Sequence, residues 1–267
     1  MYIFDNPSIC KQANRITFKL IRIGIAEVDN EWSGYVHCPV MSRLYYIISG
    51  SCRIKTANSE ITLMPGNWYL FPAGFSFGYN CEDQMEHIFF HFKLCDYDET
   101  DLLRNYNSIA QLPYPENNMA CLLPLLETNS IFNSLFLKQT AYSVLLTMIK
   151  KCNVPINAGD YSPCILKAIQ YIKEHLSAQL TISEIAENVY VSKSTLTKHF
   201  QKELSMSINK YIYNTILFEA SQLLIRTNDS VLSISERFGF SDQFYFSRKF
   251  KEYFGQSPRE YRKNLQV

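Results

Sequence analysis

Long apolar runs are missing from this 267-residue chain. None approaches the ~20 residues that cross a bilayer as a helix, so no membrane partnership is expected. Paired cysteines are missing too. The eight cysteines stand singly at positions 10, 38, 52, 81, 95, 121, 152 and 164. A disulfide framework or zinc ribbon needs close or regular spacing, so free thiols in a reducing cytoplasm are expected. Most are then small buried apolar side chains. A redox thiol needs basic neighbours to lower its pKa, and Cys52 beside Arg53 hints at one. The stretch from Met1 to Cys10 contains Asp5, Asn6 and Pro7 and has no basic-then-apolar leader, which again fits a cytoplasmic protein. A strong net charge is also absent, the formal value being +1.

That small net charge conceals a division. From Ser162 onward there are 14 Lys and Arg against 10 Asp and Glu, leaving the remainder of the chain net acidic. The 47% hydrophobic content can fill real cores, and the length suits two domains. We expect a first domain over residues 1–152, a linker over 153–161 carrying Pro155, Gly159 and Asp160 with Pro163 just beyond it, and a second domain over 162–267. A mildly basic carboxyl half joined to an acidic amino half suits one domain for nucleic acid and one for another task.

The second domain reads as helices throughout: Cys164 to Leu176, Ile182 to Val189, Lys193 to Glu203, Ile208 to Ile225, Val231 to Phe238, Gln243 to Phe254, and a last one from Pro258. Its organising stretch runs from Ile234 to Phe250. Ile234 and Phe238 share one helix face, Ser235 is small enough for a close crossing, and Gly239 supplies a left-handed turn. Ser241 or Asp242 can cap the next helix, whose Phe246 and Phe250 face inward. This leaves Gln243, Phe244, Ser247 and Arg248 outward, with Tyr245 beside them. The design occurs twice. Ile185 to Ser192 lies 49 residues before Ile234 to Ser241, and beyond the turn the offset is 50, with Leu196 matching Phe246, Phe200 matching Phe250, and Tyr211 matching Tyr261. The first unit's outward positions are thus Lys193, Ser194, Thr197 and Lys198. An outward helix face of glutamine, serine and arginine suits a DNA major groove.

Two such units, and the stretch from Gly239 to Arg262 above all, resemble the DNA-binding domain of the AraC/XylS family of bacterial transcription regulators. The resemblance implies two helix-turn-helix units joined by one long helix, and double-stranded DNA as partner. Arg248 is placed to grip guanine O6 and N7 with two bonds, and Lys198 to meet guanine or phosphate as a point charge. Gln243 suits adenine, and Phe244 can meet a thymine methyl. Thr181, Ser207, Lys210 and Arg259, near helix starts, are candidate DNA-backbone contacts. Two positions depart from the pattern. Tyr190 takes the turn position that Gly239 fills in the second unit, and Ile216 stands in the connecting helix where an arginine is common, so apolar packing is expected to replace a polar tie.

Residues from about Ile16 to Leu94 read as short strands separated by Gly, Pro, Asn and Ser. Tyr45 to Gly50 followed by Leu63 to Gly74 resembles the two halves of a cupin, a small double-sheet barrel and the usual sensor domain of those regulators. The expected fold is therefore multidomain: an amino-terminal cupin-like β-barrel with helices, then an all-α double helix-turn-helix domain. Metal-holding cupins use His-x-His, a nearby Glu and a later His. Here those positions are His37, Pro39, Arg43 and Phe77, so neither a metal nor another cofactor is expected. This weighs against the alternative of a cupin-type enzyme. His37, Arg43, Tyr45, Trp68, Tyr79, His87 and His91 are candidates for lining an effector pocket; resemblance to sugar-sensing relatives puts Arg43 and Trp68 first. Met119 to Lys151 reads helical, with an apolar stripe that packs on the barrel, pairs two subunits, or does both. The expected protein is a homodimeric activator that responds to a sugar or related metabolite and has RNA polymerase as a candidate partner. A regulator whose barrel only dimerises or binds a protein is a further alternative.

Overall fold

The computed structural model describes residues 6–36, 41–96, 101–103, 106–113, 122–128, 130–156, 161–204 and 206–263. They divide into two compact units at residues 157/158. Residues 157–160 of the expected linker lie outside the described residues, and Val154 before them is buried in the first unit's core.

The first unit begins with helix α1 (Pro7–Arg15), whose Asn6 caps the Ile9 N–H. Among the described residues nine strands follow: β1 (Thr17–Val28), β2 (Ser33–Val36), β3 (Ser42–Gly50), β4 (Cys52–Lys55), β5 (Glu60–Leu63), β6 (Asn67–Phe71), β7 (Phe77–Asn80), β8 (Met85–Cys95) and β9 (Ala110–Pro113). Helices α2 (Leu123–Glu127) and α3 (Ile131–Lys151) complete the unit. The strands form a five-stranded sheet in the order β1-β8-β3-β6-β9 and a four-stranded sheet in the order β2-β7-β4-β5, and every adjacent pair is antiparallel. The chain passes from one sheet to the other at Gly50. Its φ is +69°, and a Cβ there would lie 1.9 Å from the Gln84 carbonyl oxygen, so only glycine fits this corner. No ladder joins the two sheets among the described residues. The expected barrel is thus present as two facing sheets rather than a closed hydrogen-bonded cylinder.

Alternation along the strands sends side chains to two separate cores. In β6, Trp68 and Leu70 join Ile88, Phe90 and Phe92 of β8 under helix α3, which contributes Leu137, Ala141, Leu145 and Met148. Tyr69 and Phe71 face the other way, toward Ile47, Ile54, Leu63 and Phe77 between the sheets. Strands covered on both faces read as unbroken apolar runs, which is why β6 and β8 were legible as strands by content rather than by alternation.

The second unit contains helices α4 (Pro163–Glu174), α5 (Ile182–Asn188), α6 (Lys193–Leu204), α7 (Ile208–Arg226), α8 (Val231–Arg237), α9 (Gln243–Phe254) and α10 (Pro258–Lys263). One hydrophobic cluster runs through all of it. Ile185, Leu196 and Phe200 of the first helix-turn-helix and Ile234, Phe246 and Phe250 of the second meet across Ile212, Ile216 and Ala220 of α7. Ile216 is fully buried there, so apolar packing does join the two halves at the position where a polar tie was missing.

Candidate nucleic-acid interface

Each outer helix is started by a side-chain cap. Asp242 accepts from the Phe244 and Tyr245 N–H groups at 2.9 and 3.0 Å, and Ser192 accepts from the Thr195 N–H at 3.1 Å. Of the two capping residues proposed for α9, Asp242 is the one used. The inner helices are fixed likewise. Thr181 and Glu184 form a reciprocal capping box, and Ser230 accepts from the Ser233 N–H. Glu184 is held below the usual carboxylate pKa by its bonds from the Thr181 hydroxyl and N–H. Such caps stop each helix from fraying at its start, each worth about 1 kcal/mol.

The turns differ in chemistry and agree in shape. Gly239 has φ +76° and Tyr190 has φ +58°, so the tyrosine adopts the left-handed backbone that its glycine counterpart adopts. Tyr190 tolerates this because its ring is 91% exposed and asks nothing of the packing. A Cβ at Gly239 would lie 2.3 Å from the Ser177 Oγ, so the second turn has no such freedom.

Along α6, Lys193, Ser194, Thr197 and Lys198 are all exposed while Leu196 and Phe200 are fully buried. Along α9, Phe244, Tyr245 and Arg248 are exposed, Gln243 and Ser247 are half-buried, and Phe246 and Phe250 are fully buried. The helical register read from the sequence is therefore the register of the fold. Phe244 is 73% exposed, a large apolar ring on an outward face. The Arg248 guanidinium carbon sits 5.7 Å from the Tyr245 ring centre, an arrangement that orients the fork without using its donors. Among the described residues Lys193, Lys198 and Arg248 pair with no carboxylate, unlike Lys249, which bonds Glu252 at 2.8 Å. Their charges remain available to a polyanion. The Thr197 hydroxyl donates to the Lys193 carbonyl at 2.8 Å, leaving its lone pairs free to accept.

The candidate backbone contacts sit at helix starts. Thr181 and Ser207 are capping residues, the latter accepting from the Lys210 N–H at 3.3 Å, and Lys210 and Arg259 are exposed. Two residues that sequence reasoning passed over position this surface. Arg262 donates to the Leu224 and Asp229 carbonyls at 3.1 and 2.6 Å, tying α10 to the end of α7 and the segment leading into α8. Glu203 accepts from the Ser162 N–H at 2.7 Å and its hydroxyl at 3.0 Å, anchoring the start of the unit to α6. Neither carries a local pattern that would have marked it.

In the first unit, the ligand candidates separate. Arg43, Tyr45, Tyr79 and His91 lie on the face between the two sheets, joined there by His87. Trp68 lies on the opposite face of its sheet, fully buried under α3, so the fold does not bring it to the others. His37 lies outside the described residues. The hint of a reactive thiol at Cys52 is overturned. Burial pushes that thiol up to about 12, and Arg53 turns instead to Glu60 and Glu82 on the surface. No helix among the described residues is long and apolar enough to cross a membrane.

Comparison with known proteins adds one family match, three relatives and one solved structure. A family model described as a helix-turn-helix domain matches residues 185–264. The chain is 25% identical over 236 residues to the Msm operon regulatory protein of Streptococcus mutans, with 84% of each covered. It is also 24% identical over 239 residues to the raffinose operon transcriptional regulatory protein of Pediococcus pentosaceus, covering 84% of this chain and 85% of that one. To the arabinose operon regulatory protein of Escherichia coli it is 31% identical over 126 residues, 46% of this chain and 43% of the other. Among solved structures, fatty-acid-bound ToxT from Vibrio cholerae superposes with a TM-score of 0.62 at 14% identity, over 92% of this chain and 96% of that one. The two share a fold.

Proposed function

We propose that this chain, whose carboxyl-terminal residues form an AraC-type DNA-binding domain, is a sequence-specific transcription regulator that responds to a sugar or sugar derivative. The observation that carries the reading is the duplicated helix-turn-helix over a single core, with Lys193, Lys198 and Arg248 on the outward faces of α6 and α9 and paired with no carboxylate among the described residues. Two recognition helices fixed to one connecting helix suit adjacent major-groove segments on one face of a duplex. Arg248, Gln243 and Phe244 read bases in this scheme, with Lys193, Ser194 and Thr197 as their counterparts and Lys198 holding phosphate. Thr181, Ser207, Lys210 and Arg259 hold phosphates. Two relatives that cover most of the chain are named as regulators of the Msm and raffinose operons, which supports a sugar-linked effector and a role in operon regulation.

Helix α3 supports a homodimer. Leu137, Ala141, Leu145 and Met148 bury one face on the unit's own sheet. Ile131, Phe132 and Leu135 are 83%, 71% and 61% exposed on another, with the Phe132 and Phe136 rings stacked. The apolar stripe thus serves both purposes: one flank for the fold and one for a second copy. An effector between the sheets would then alter how two DNA-binding domains are presented. The test is binding of the purified chain to promoter fragments from its own genome, in competition with unrelated DNA. A footprint that disappears in Arg248→Ala and shifts with added sugar supports the reading. Equal affinity for all DNA at every salt concentration would remove it.

A further inference from the structure

We propose that Tyr213, on the connecting helix α7, is a specificity-determining positioning residue: acting through Tyr245 it presets Arg248, so that the second helix-turn-helix selects bases more strictly than the first. The inference rests on the DNA-reading function above and divides that reading unequally between the two halves. Tyr213 itself meets no base in this scheme. Its hydroxyl is hydrogen-bonded to Tyr245 of α9. Both tyrosine rings lie against Phe240, each with its centre 6.1 Å away. Phe240 in turn meets the fully buried Phe246 edge-on at 5.2 Å. Tyr245 is thus held by its ring and by its hydroxyl, although it stands on an outward face. One turn along α9 its ring carries the Arg248 guanidinium, 5.7 Å from the ring centre. A continuous line of contacts therefore runs from the core to the base-reading fork.

The hydroxyl bond matters because packing alone does not fix Tyr213. Away from Phe240 the residue lines a groove of about 330 Å³, together with Thr181, Lys193 and Asn209. Its ring is supported on one side, and the bond to Tyr245 supplies the other restraint. Burial first, and then that bond, push the Tyr213 phenol above its ordinary pKa, so it stays a protonated donor at neutral pH. The benefit falls on Arg248. A long side chain loses much rotamer freedom when its fork locks onto a base, and a ring that holds the guanidinium beforehand removes part of that cost. The ring face uses the cation's charge and leaves its N–H donors for the base.

The first unit is an internal control. Counting back along the duplication, Val191 stands where Phe240 does, Thr195 where Tyr245 does, and Lys198 where Arg248 does. Thr195 has no ring to offer, and its hydroxyl is bonded to the Ser192 hydroxyl at 2.8 Å. Leu196 and Phe200 are nevertheless as fully buried as Phe246 and Phe250. A helix-turn-helix of this chain therefore packs without the tyrosine pair, which leaves recognition as the task the pair serves. The cations differ to match: a planar fork is worth orienting, whereas an ammonium is a point charge with little direction to preserve.

The test uses the full chain in selections over randomised duplexes, followed by titration of the selected sites at fixed salt. Tyr245→Leu removes the ring, and Tyr245→Phe and Tyr213→Phe each remove one hydroxyl of the same bond. Tyr245→Leu should lower discrimination at the base pair read by Arg248 about two- to fivefold, the range for a lost exposed cation–ring contact. The two phenylalanine variants should each lower it by a smaller factor, and together by no more than either alone. Base pairs read by α6 should keep their preference, and in an Arg248→Ala background none of the three changes should matter. An equal loss across all sequences, or a loss that persists with Arg248→Ala, would make the tyrosines backbone contacts and overturn the proposal. Equally strict selection by the two halves in the wild type would overturn it too. A second arm needs no DNA: with ¹⁵N-labelled arginine, the Arg248 Nε–H signal should shift when Tyr245→Leu removes the ring current, and shift less in Tyr213→Phe. A signal that Tyr245→Leu leaves unmoved refutes the positioning whatever the selections show. A wild type that selects no sequence while that signal does move removes the DNA-reading function itself, and the role of Tyr213 with it.

Discussion

Phe244 offers the sharpest test of the proposed DNA-reading surface. Its ring is 73% exposed, Phe246 and Phe250 already fill the inward face of α9, and Ser194 stands at the matching place on α6. The fold therefore does not need an aromatic ring there. Exposed in a free protein, the ring gains little; against a thymine methyl in a major groove it can leave water. Burying about 50 Å² of apolar surface at ~25 cal/mol per Å² is worth roughly 1.2 kcal/mol, about an eightfold change in affinity. Phe244→Ser should keep the melting temperature within a degree or so, because the substitution is at an exposed site without packing partners. It should weaken cognate binding by that factor in a fluorescence-anisotropy titration at fixed salt. Replacing the contacted thymine by uracil removes only the methyl group, and should cause the same loss in the wild type and no further loss in the variant. Additive losses from the two changes would show that ring and methyl do not meet. Unfolding of the variant would refute the register of α9 itself.

Arg248→Ala should cost about 1–3 kcal/mol and relax preference at one base pair, whereas Lys198→Ala should weaken all sequences alike and flatten the salt dependence; a selection over randomised sites separates the two. Gly239→Ala should destabilise the second unit by ~2 kcal/mol or more, since the positive φ and the contact with Ser177 act together, while Tyr190→Gly should be close to neutral because relief of strain offsets the added freedom of the unfolded chain. Circular dichroism melts of both variants check this contrast. His87 is pushed down to about 4 by burial, so the unfolded chain takes up a proton below pH ~6.5 that the folded one refuses until about pH 4. Stability of the first unit should therefore fall as pH drops through that window, and His87→Phe should blunt the fall. Both tryptophans, Trp32 and Trp68, lie in that unit, so their fluorescence follows it alone.

How much of this was legible beforehand depended on whether a signal was local. The second unit was read nearly helix by helix, and α9 carries the bounds predicted for it. Three-to-four spacing, small caps and a positive-φ turn are short-range features, and the duplication supplied an internal check on the register. The first unit was legible where apolar runs mark an element, as in β1, β3, β5, β6, β8 and the stripe of α3. β2, β4, β7 and β9 are four residues each, alternate or lie exposed, and pass for loop when their partners are unknown. Helix α1 escaped because it buries no residue and is tied down by an ion pair from Arg15 to Asp96, far along the chain. The ligand candidates show the same limit in its strictest form. Trp68 and Tyr69 are neighbours in sequence and stand on opposite faces of one sheet, so a one-residue uncertainty in register moves a side chain from the pocket to the helix-facing core. Arg22 joined Arg43 and His91 only through a pairing that skips a residue at the irregularity between Leu20 and Arg22 in β1. Without that bulge Arg22 would point to the other face of the sheet. A bulge is a tertiary decision with no signature in one sequence, so the face on which Arg22 stands is disclosed only by the folded chain.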